Sequence, residues 1–582
     1  MRKNNSADAA LEEVFGVGVN DLRRARSCKS DMPNVLFSKF LHVIDVSGII
    51  PNLEAWHAKD SINNAGRKST LPMRAGLMAL LLNSYWGNGY SYKEVAASLF
   101  DRITKEQAAR LGYNPDECSY DEWYHRAWRT MQRILDTIDP WHHTKGLGKR
   151  LTGDQYAIAR DLYDKTREDR AHEMARLFVR ASIELLPKKY LAGYRGDVAL
   201  DSTFMRVQGF INPNDYSKRS LRIRKGMKKR DMLNGDYQCG WYTREGDHDG
   251  SDKKHSLPGY ELDTTVMIDA KNGAFPFPLS TGISFHRPAE IAYGARSTIE
   301  QHSAFTAERG LVVVDRAFNG LASEQFQEPV RKLRYETVYD YKRNDLGAQG
   351  SVPGKPIIII DGVPYVNRMP ESYIMISRWH AEGEINPATG EPYTTETRDE
   401  IFEARAAYRM KAKGKIDSDG HQRFEYPNPR NYIAFDPATG KSTTDNPTGS
   451  VTIGLEAKVI KHLQKYPWMS TEWVRAYGQR NQVEMSNRLI KDHRSENIGD
   501  AASRPARGFA YNYLVAMIAT VSTNIRRIIV GITNLNTLDD NGQPKQRVRK
   551  RRDSNGYRLA RKSQPTTHET GEQILPPDQP RE

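Results

Sequence analysis

Tyr477-Gly-Gln-Arg480-Asn-Gln-Val-Glu484-Met-Ser-Asn-Arg-Leu-Ile-Lys491 is the stretch that decides how the chain is read. At about 100° per residue, positions 477, 480, 484 and 491 fall within roughly 60° of one another on a helix, so a tyrosine, two cations and a carboxylate share one face. With a rise of about 1.5 Å per residue, Arg480 lies about 6 Å before Glu484 along the axis and Lys491 about 10 Å after it. A carboxylate is thus flanked by cations at the spacing of successive backbone phosphates. Val483 and Ile490 lie on a different side and anchor the helix in a core. Gly478, about 1 kcal/mol less favourable than Ala inside a helix, marks a kink or a helix start.

Upstream, the pattern is that of strands: Asp197 to Phe204, Tyr260 to Asp269, Phe275 to Phe285 and Leu311 to Asp315, with a helix over Ala289 to Arg309. This predicts an α/β layer with a mixed sheet. Two of the strands, Val198-Ala-Leu-Asp201 and Leu311-Val-Val-Val-Asp315, deliver a carboxylate at the end of an apolar run. An isolated Asp at a strand end is ordinarily a cap or a solvated group. Asp197 is an internal rival to Asp201, because four residues apart on a strand they share a face. Gln349 to Thr452 holds short β-like runs, such as Pro356 to Asp361 and Tyr373 to Trp379, between Gly and Pro turns, and reads as a β-rich insertion.

Leu71 to Leu135 reads as a run of helices. Pro72 stands near the first turn of an apolar segment that ends around Gly87. Three capping boxes follow: Ser91 with Glu94, Thr104 with Gln107, and Ser119 with Glu122. In the last of these helices Ala127, Met131 and Ile134 form an apolar face, while Arg126, Arg129 and Arg133 form a basic stripe. That stripe either enters a DNA groove or is a solvated face. The run Lys218 to Arg230, which includes Lys228 and Lys229, either follows a phosphate backbone or is a solvated loop. The tail beyond Asp539 has the composition of a disordered basic arm.

The 582 residues carry a formal net charge of +14, so a polyanion is the expected partner, either nucleic acid or an anionic membrane. The most apolar stretch, Phe509 to Ile532, is interrupted by Asn512, Thr520, Ser522, Thr523, Asn524, Arg526 and Arg527, which predicts a packed helix and not a bilayer span. Met1 to Val17 lacks the pattern of an export signal, so the expected location is the cytoplasm, in association with the nucleoid. Cys28, Cys118 and Cys239 form no Cys-x-x-Cys pair, which argues against a disulfide framework or a structural zinc site. A metal acting here would be held by oxygen.

The spacing Tyr-x2-Arg-x3-Glu-x6-Lys, met here without a gap, resembles the signature of a branch of bacterial insertion-sequence transposases of the DDE class. The resemblance implies a catalytic core of ribonuclease-H-like fold, with the first Asp on the first strand and the second at the end of the fourth. Val198-Ala-Leu-Asp201-Ser-Thr looks like the first site. Leu311-Val-Val-Val-Asp315-Arg-Ala-Phe-Asn-Gly looks like the second, since the family follows this Asp with Arg, a small residue and an aromatic. The long separation of Asp315 from Glu484 resembles members with a β-strand insertion at that point. The likeness runs from about residue 200 to residue 500 and is weak before Asp197 and after Asn534.

What the resemblance implies for chemistry is strand cleavage and strand transfer on DNA by two Mg²⁺ ions about 3.5 to 4 Å apart, with Mn²⁺ able to substitute. Asp201 would bridge both ions, and Asp315 and Glu484 would each bind one. Arg480 and Lys491 would grip phosphates near the cut, and Tyr477 would contact the transposon end. Trp379, Trp468 and Trp473 are candidates for stabilising an extruded base, or are core residues. The expected architecture is an all-helical N-terminal region over 1–150 that binds DNA ends, a ribonuclease-H-like core over 151–348 and 456–535, the β-rich insertion over 349–455, and a basic tail over 536–582. Double-stranded DNA, as terminal inverted repeats and as target, is the expected partner of a homodimer that pairs two ends. Two rival readings are a related two-metal nuclease, which has no need of the Tyr, Arg and Lys stripe, and a catalytically silent DNA-binding protein of the same fold.

Overall fold

Helix start and stop signals organise the N-terminal third. The computed structural model describes residues 5–18, 22, 32–61, 69–145, 153–208, 236–244, 255–273, 275–288, 290–436 and 439–537. Lys228, Lys229 and the basic tail lie outside these residues. Helices α1 (Asn5–Phe15), α2 (Asn34–Val46), α3 (Ile49–Asp60), α4 (Met73–Trp86), α5 (Tyr92–Ala97), α6 (Lys105–Leu111), α7 (Tyr120–Ile138), α8 (Gly153–Asp161) and α9 (Lys165–Ile183) follow in order. Pro72 precedes α4, and Gly87 ends it in the left-handed conformation. Thr104 with Gln107 and Ser119 with Glu122 form complete capping boxes, whereas Ser91 caps α5 by accepting from the Glu94 amide.

The central sheet contains β1 (Val198–Arg206), β2 (Gly240–Arg244), β3 (His255–Met267), β4 (Ser280–His286), β5 (Leu311–Val314) and β6 (Glu336–Tyr339), in the order β2-β3-β1-β5-β6, with β4 also paired to β3. β3 runs antiparallel to β1, β2 and β4, while β1, β5 and β6 run parallel. β2 pairs with residues 255–259 of β3 and β4 with 261–266, so these two lie end to end along the edge of β3 away from β1. Helix α10 (Ile291–Phe305) connects β4 to β5, and α11 (Arg316–Asn319) and α12 (Gln327–Lys332) connect β5 to β6.

Alternation along the central strands assigns their two faces. Val198, Leu200, Val312 and Val314 pack with Ala295 and Ile299 of α10. Ala199, Leu311 and Val313 pack on the other side, with Trp473, Ala476 and Val483. Those last three residues belong to α15 (Thr471–Tyr477) and α16 (Asn481–Lys491), which follow the insertion.

Within the insertion, β7 (Ala348–Ser351), β8 (Ile357–Ile360) and β9 (Val363–Val366) form one antiparallel sheet, and β10 (Lys411–Ala412), β11 (Gln422–Glu425) and β12 (Ser450–Ile453) form a second. Between them lie α13 (Glu371–Glu382) and α14 (Thr395–Arg405). The expected β-like run Tyr373 to Trp379 is therefore helical. Pro370 before the first turn and left-handed Gly383 after the last one bound it as a helix, overriding the β tendency of its aromatic and β-branched residues. Buried Asp361 ties helices to sheet by accepting from Ser377 Oγ, from Arg405 Nη2 at 2.7 Å and from the Gly347 amide at 2.9 Å.

Helix α17 (Phe509–Asn536) is long and apolar enough to cross a membrane, but 89% of its most apolar window is buried inside the fold. Several of its polar residues have protein partners. Asn524 exchanges bonds of 2.8 and 2.9 Å with the Ser280 backbone, Arg526 pairs with buried Glu496 at 2.9 Å, and Asn512 accepts from Arg504 at 2.6 Å. One buried cluster joins Leu77 of α4, Phe178 of α9, Tyr260 and Phe285 of the sheet, and Leu514 of α17, so residues on both sides of position 150 share a core.

Asp197 belongs to this framework. Its buried carboxylate accepts from the Leu311 amide at 2.8 Å and the Ala270 amide at 3.1 Å, clamping the start of β5 to the turn after β3. A Cβ on Gly310 would stand 2.1 Å from Asp197 Oδ1, so the clamp needs glycine there. Asp197→Ala strands two buried donors and is expected to lower the unfolding free energy by about 2–4 kcal/mol in a denaturant titration. A change under about 0.5 kcal/mol, the size of a neutral surface substitution, would contradict this role.

Candidate active site

Strand register brings the first two carboxylates together. β1 and β5 are parallel, with Val198 opposite Val312 and Ala199 opposite Val313, so the same register carried forward sets Asp201 beside Asp315. Neighbouring strands lie about 4.8 Å apart, and both Asp residues continue the face already occupied by Ala199 and Val313. Asp315 stands one residue past β5, where it caps α11 by accepting from the Arg316 amide at 2.7 Å. The site lies at the carboxyl ends of these strands, where open α/β sheets form ligand crevices.

Helix α16 supplies the third carboxylate across this face. It buries Gln482, Val483, Ser486, Asn487 and Ile490 and packs on β1 and β3. The run from 477 to 491 is not one helix: residues 478–480 form a 3₁₀ turn between α15 and α16, the break that Gly478 signals. Arg480 and Glu484 still meet at i, i+4.

Arg480 is the hub. Its Nη2 donates to Glu484 Oε1, and its Nη1 lies 3.6 Å from Asp201 Oδ1 and 3.9 Å from Asp315 Oδ2. The side chains of Asp201 and Arg480 are 21% and 20% exposed, against 38% for Asp315 and 44% for Glu484, so the site opens on the side of the latter two. Three carboxylates share this one guanidinium. Burial pushes Asp201 up to about 6; Arg480 and the Asn487 hydrogen bond hold it down, while Glu484 and Asp315 push it up.

Asn487, which the sequence pattern did not single out, donates from Nδ2 to Asp201 Oδ2 at 3.1 Å. The available signal was its position, one helical turn after Glu484 on the same side of α16. Tyr477 stacks on Trp473 with ring centroids 4.6 Å apart and lies 5.9 Å from the Arg480 guanidinium carbon. Burial pushes its phenol up to about 12, so it is a neutral hydroxyl beside the carboxylates. Lys491 ends α16, two turns beyond Glu484.

The three tryptophans have structural partners. Trp473 is buried and donates to the Tyr339 carbonyl, Trp468 donates to Asp340 at 2.8 Å, and Trp379 stacks on Tyr393. The arginine stripe of α7 is divided. Arg126 pairs with Glu117 and packs over Trp123, half-buried Arg133 donates to the Leu71 carbonyl, and Arg129 is exposed.

The donor set suits a hard divalent cation: three carboxylates, no sulfur, and an open side for water and substrate oxygen. As arranged, what the three share is the Arg480 guanidinium, and among the described residues no group of three or more His, Cys, Asp or Glu is drawn together closely enough to hold an ion. No protein-family model matches the chain, and no curated protein sequence is significantly similar to it.

The charge on Asp201 is less favourable in the fold than in the unfolded chain. Its cost is absent at pH values below the ordinary carboxylate range and grows as pH rises through about 6. Asp201→Asn is therefore expected to stabilise the protein at neutral and higher pH, by up to about 3 kcal/mol, and the gain should fade toward pH ~4. Chemical denaturation of both proteins across that range measures it; a loss of stability at every pH would contradict it.

Proposed function

We propose that this chain is a DDE-class DNA transposase that cuts and rejoins DNA at the ends of an insertion sequence through Asp201, Asp315 and Glu484. The observation that carries the reading is the meeting of these three carboxylates, drawn from two parallel strand ends and a helix beyond a long insertion, on one guanidinium. The strand order β4-β3-β1-β5-β6, three antiparallel strands followed by two parallel ones, supports a ribonuclease-H-like core. The two small sheets between Asp315 and Glu484 support the reading of an insertion within it.

Asp201, Asp315 and Glu484 would hold two Mg²⁺, or Mn²⁺ in its place; such a pair activates the attacking oxygen and stabilises the leaving one in an in-line displacement at phosphorus. Asp201, oriented by the Asn487 bond, would be the ligand shared by both ions, as the resemblance implies. Arg480 has the planar donor fork that fits a phosphate, and Lys491 offers a second cation about 10 Å beyond Glu484 along α16. Tyr477, fixed by stacking on Trp473, presents its hydroxyl to the DNA end. The N-terminal helices, with Arg129 exposed on α7, are the candidate for end recognition. The net charge of +14 favours the polyanion throughout. Two protomers would pair two ends in the synaptic complex, in a cytoplasmic, nucleoid-associated setting.

The test is cleavage of a plasmid carrying the DNA that flanks the chain's own coding region, with Mg²⁺ or with EDTA, by wild type and by Glu484→Gln. Excision is expected from wild type with Mg²⁺ alone. Glu484→Gln should lose more than about 100-fold, the upper range for losing an outer partner of a metal ligand. Retained DNA binding with no cutting by either protein would favour a silent DNA-binding protein.

A further inference from the structure

Arg480 is assigned by the family resemblance to the DNA, yet in the fold it is spent on the carboxylates. Its two terminal nitrogens are distributed over Glu484, Asp201 and Asp315, all within 4 Å. A divalent ion and a guanidinium cannot share these oxygens without bringing like charges into contact. We propose that Arg480 is a counter-ion latch: in the DNA-free protein it holds the place of the divalent cations, and a DNA backbone phosphate draws it off, so that metal loading depends on bound DNA. The phosphate half of this inference rests on the transposase reading.

The chemistry of the group supports an exchange of partners. Arg480 is always charged, and its fork bonds a phosphate as well as it bonds a carboxylate, so the two compete for it on equal terms. Both the metal and the phosphate profit when it leaves: the carboxylates gain two ions, and the phosphate gains a cation that is no longer shared. The side chain is not enclosed: it is 20% exposed, it stands at the end of a 3₁₀ turn, and besides the carboxylates its guanidinium carbon lies 5.9 Å from the Tyr477 ring. Asp201 stays in place when Arg480 departs, because the Asn487 bond comes from a separate and buried part of α16. Linkage then requires reciprocity: DNA raises metal affinity and metal raises DNA affinity by the same factor. The device keeps a nuclease centre unloaded until its substrate is bound.

The probe is Mn²⁺, followed by the electron paramagnetic resonance signal of the free ion, with the full chain as wild type, Arg480→Gln and Asp201→Asn. Without DNA, Arg480→Gln is expected to bind Mn²⁺ about 10-fold tighter than wild type, within the ordinary range of coupling between sites. Wild type should tighten by a similar factor when a DNA duplex is added, after subtraction of Mn²⁺ bound to duplex alone. Asp201→Asn should bind little in either condition. Equal or weaker binding by folded Arg480→Gln, with binding still lost in Asp201→Asn, overturns the latch and leaves the metal site standing. Binding in wild type and Arg480→Gln no stronger than in Asp201→Asn overturns both. If circular dichroism shows Arg480→Gln unfolded, wild type with and without DNA decides alone, and an unchanged affinity overturns the latch.

Discussion

The parallel pairing of β1 with β5 is the constraint on which the site depends. Because side chains alternate strictly along a strand, a register that sets Ala199 beside Val313 also sets Asp201 beside Asp315 on the same face. A slip of one residue in either strand would turn one carboxylate toward α10. The register is held from several directions: by the two bonds of Asp197 that fix where β5 begins, by apolar residues on both faces, and by the nine-residue antiparallel pairing of β1 with β3. On the opposite face, Ser202 donates to Asp263, which pairs with His286 at 3.0 Å, so each side chain at the turn-over from core to site has an assigned direction.

The site stores an electrostatic conflict that the fold does not resolve. Asp201 is mostly buried, and burial is the largest influence on it, so its charge is tolerated only because Arg480 and Asn487 are aimed at it. Packing of Val483, Ala476 and Trp473 holds α15 and α16 against the sheet and brings Arg480 and Glu484 into range. Hydrophobic burial therefore supports a cluster of like charges that is unfavourable by itself. A cation of higher charge than a guanidinium would relieve it.

Much of this site is legible in the amino-acid sequence. Apolar runs ending in Asp mark positions 201 and 315, and the spacing of Tyr477, Arg480, Glu484 and Lys491 marks the helix that faces them. The choice between Asp201 and Asp197 is not legible there, because both share a strand face and the partners of Asp197, the amides of Ala270 and Leu311, lie far along the chain. Asn487 is hidden for the same reason: an Asn one turn after a Glu has no meaning until a strand residue 286 positions away is brought to it. Tyr373 to Trp379 misleads because its Tyr, Ile and Trp suit a strand, while the residues bounding it, Pro370 and Gly383, make it a helix. The arginine stripe of α7 is legible as a periodicity but not as a function, since Arg126 and Arg133 find protein partners contributed by other segments.

Whether these three carboxylates together hold a divalent metal, as the proposed function requires, is tested most directly with Fe²⁺. With a DNA duplex present, Fe²⁺ at the site reduces added hydrogen peroxide to hydroxide and a hydroxyl radical, ascorbate returns the Fe³⁺ to Fe²⁺, and the radical cuts the nearby polypeptide backbone. Cuts are expected close to residues 201, 315 and 484 together, all three lost in Asp201→Asn. Cuts elsewhere in the chain, or the same pattern in Asp201→Asn, would contradict a metal held by this set.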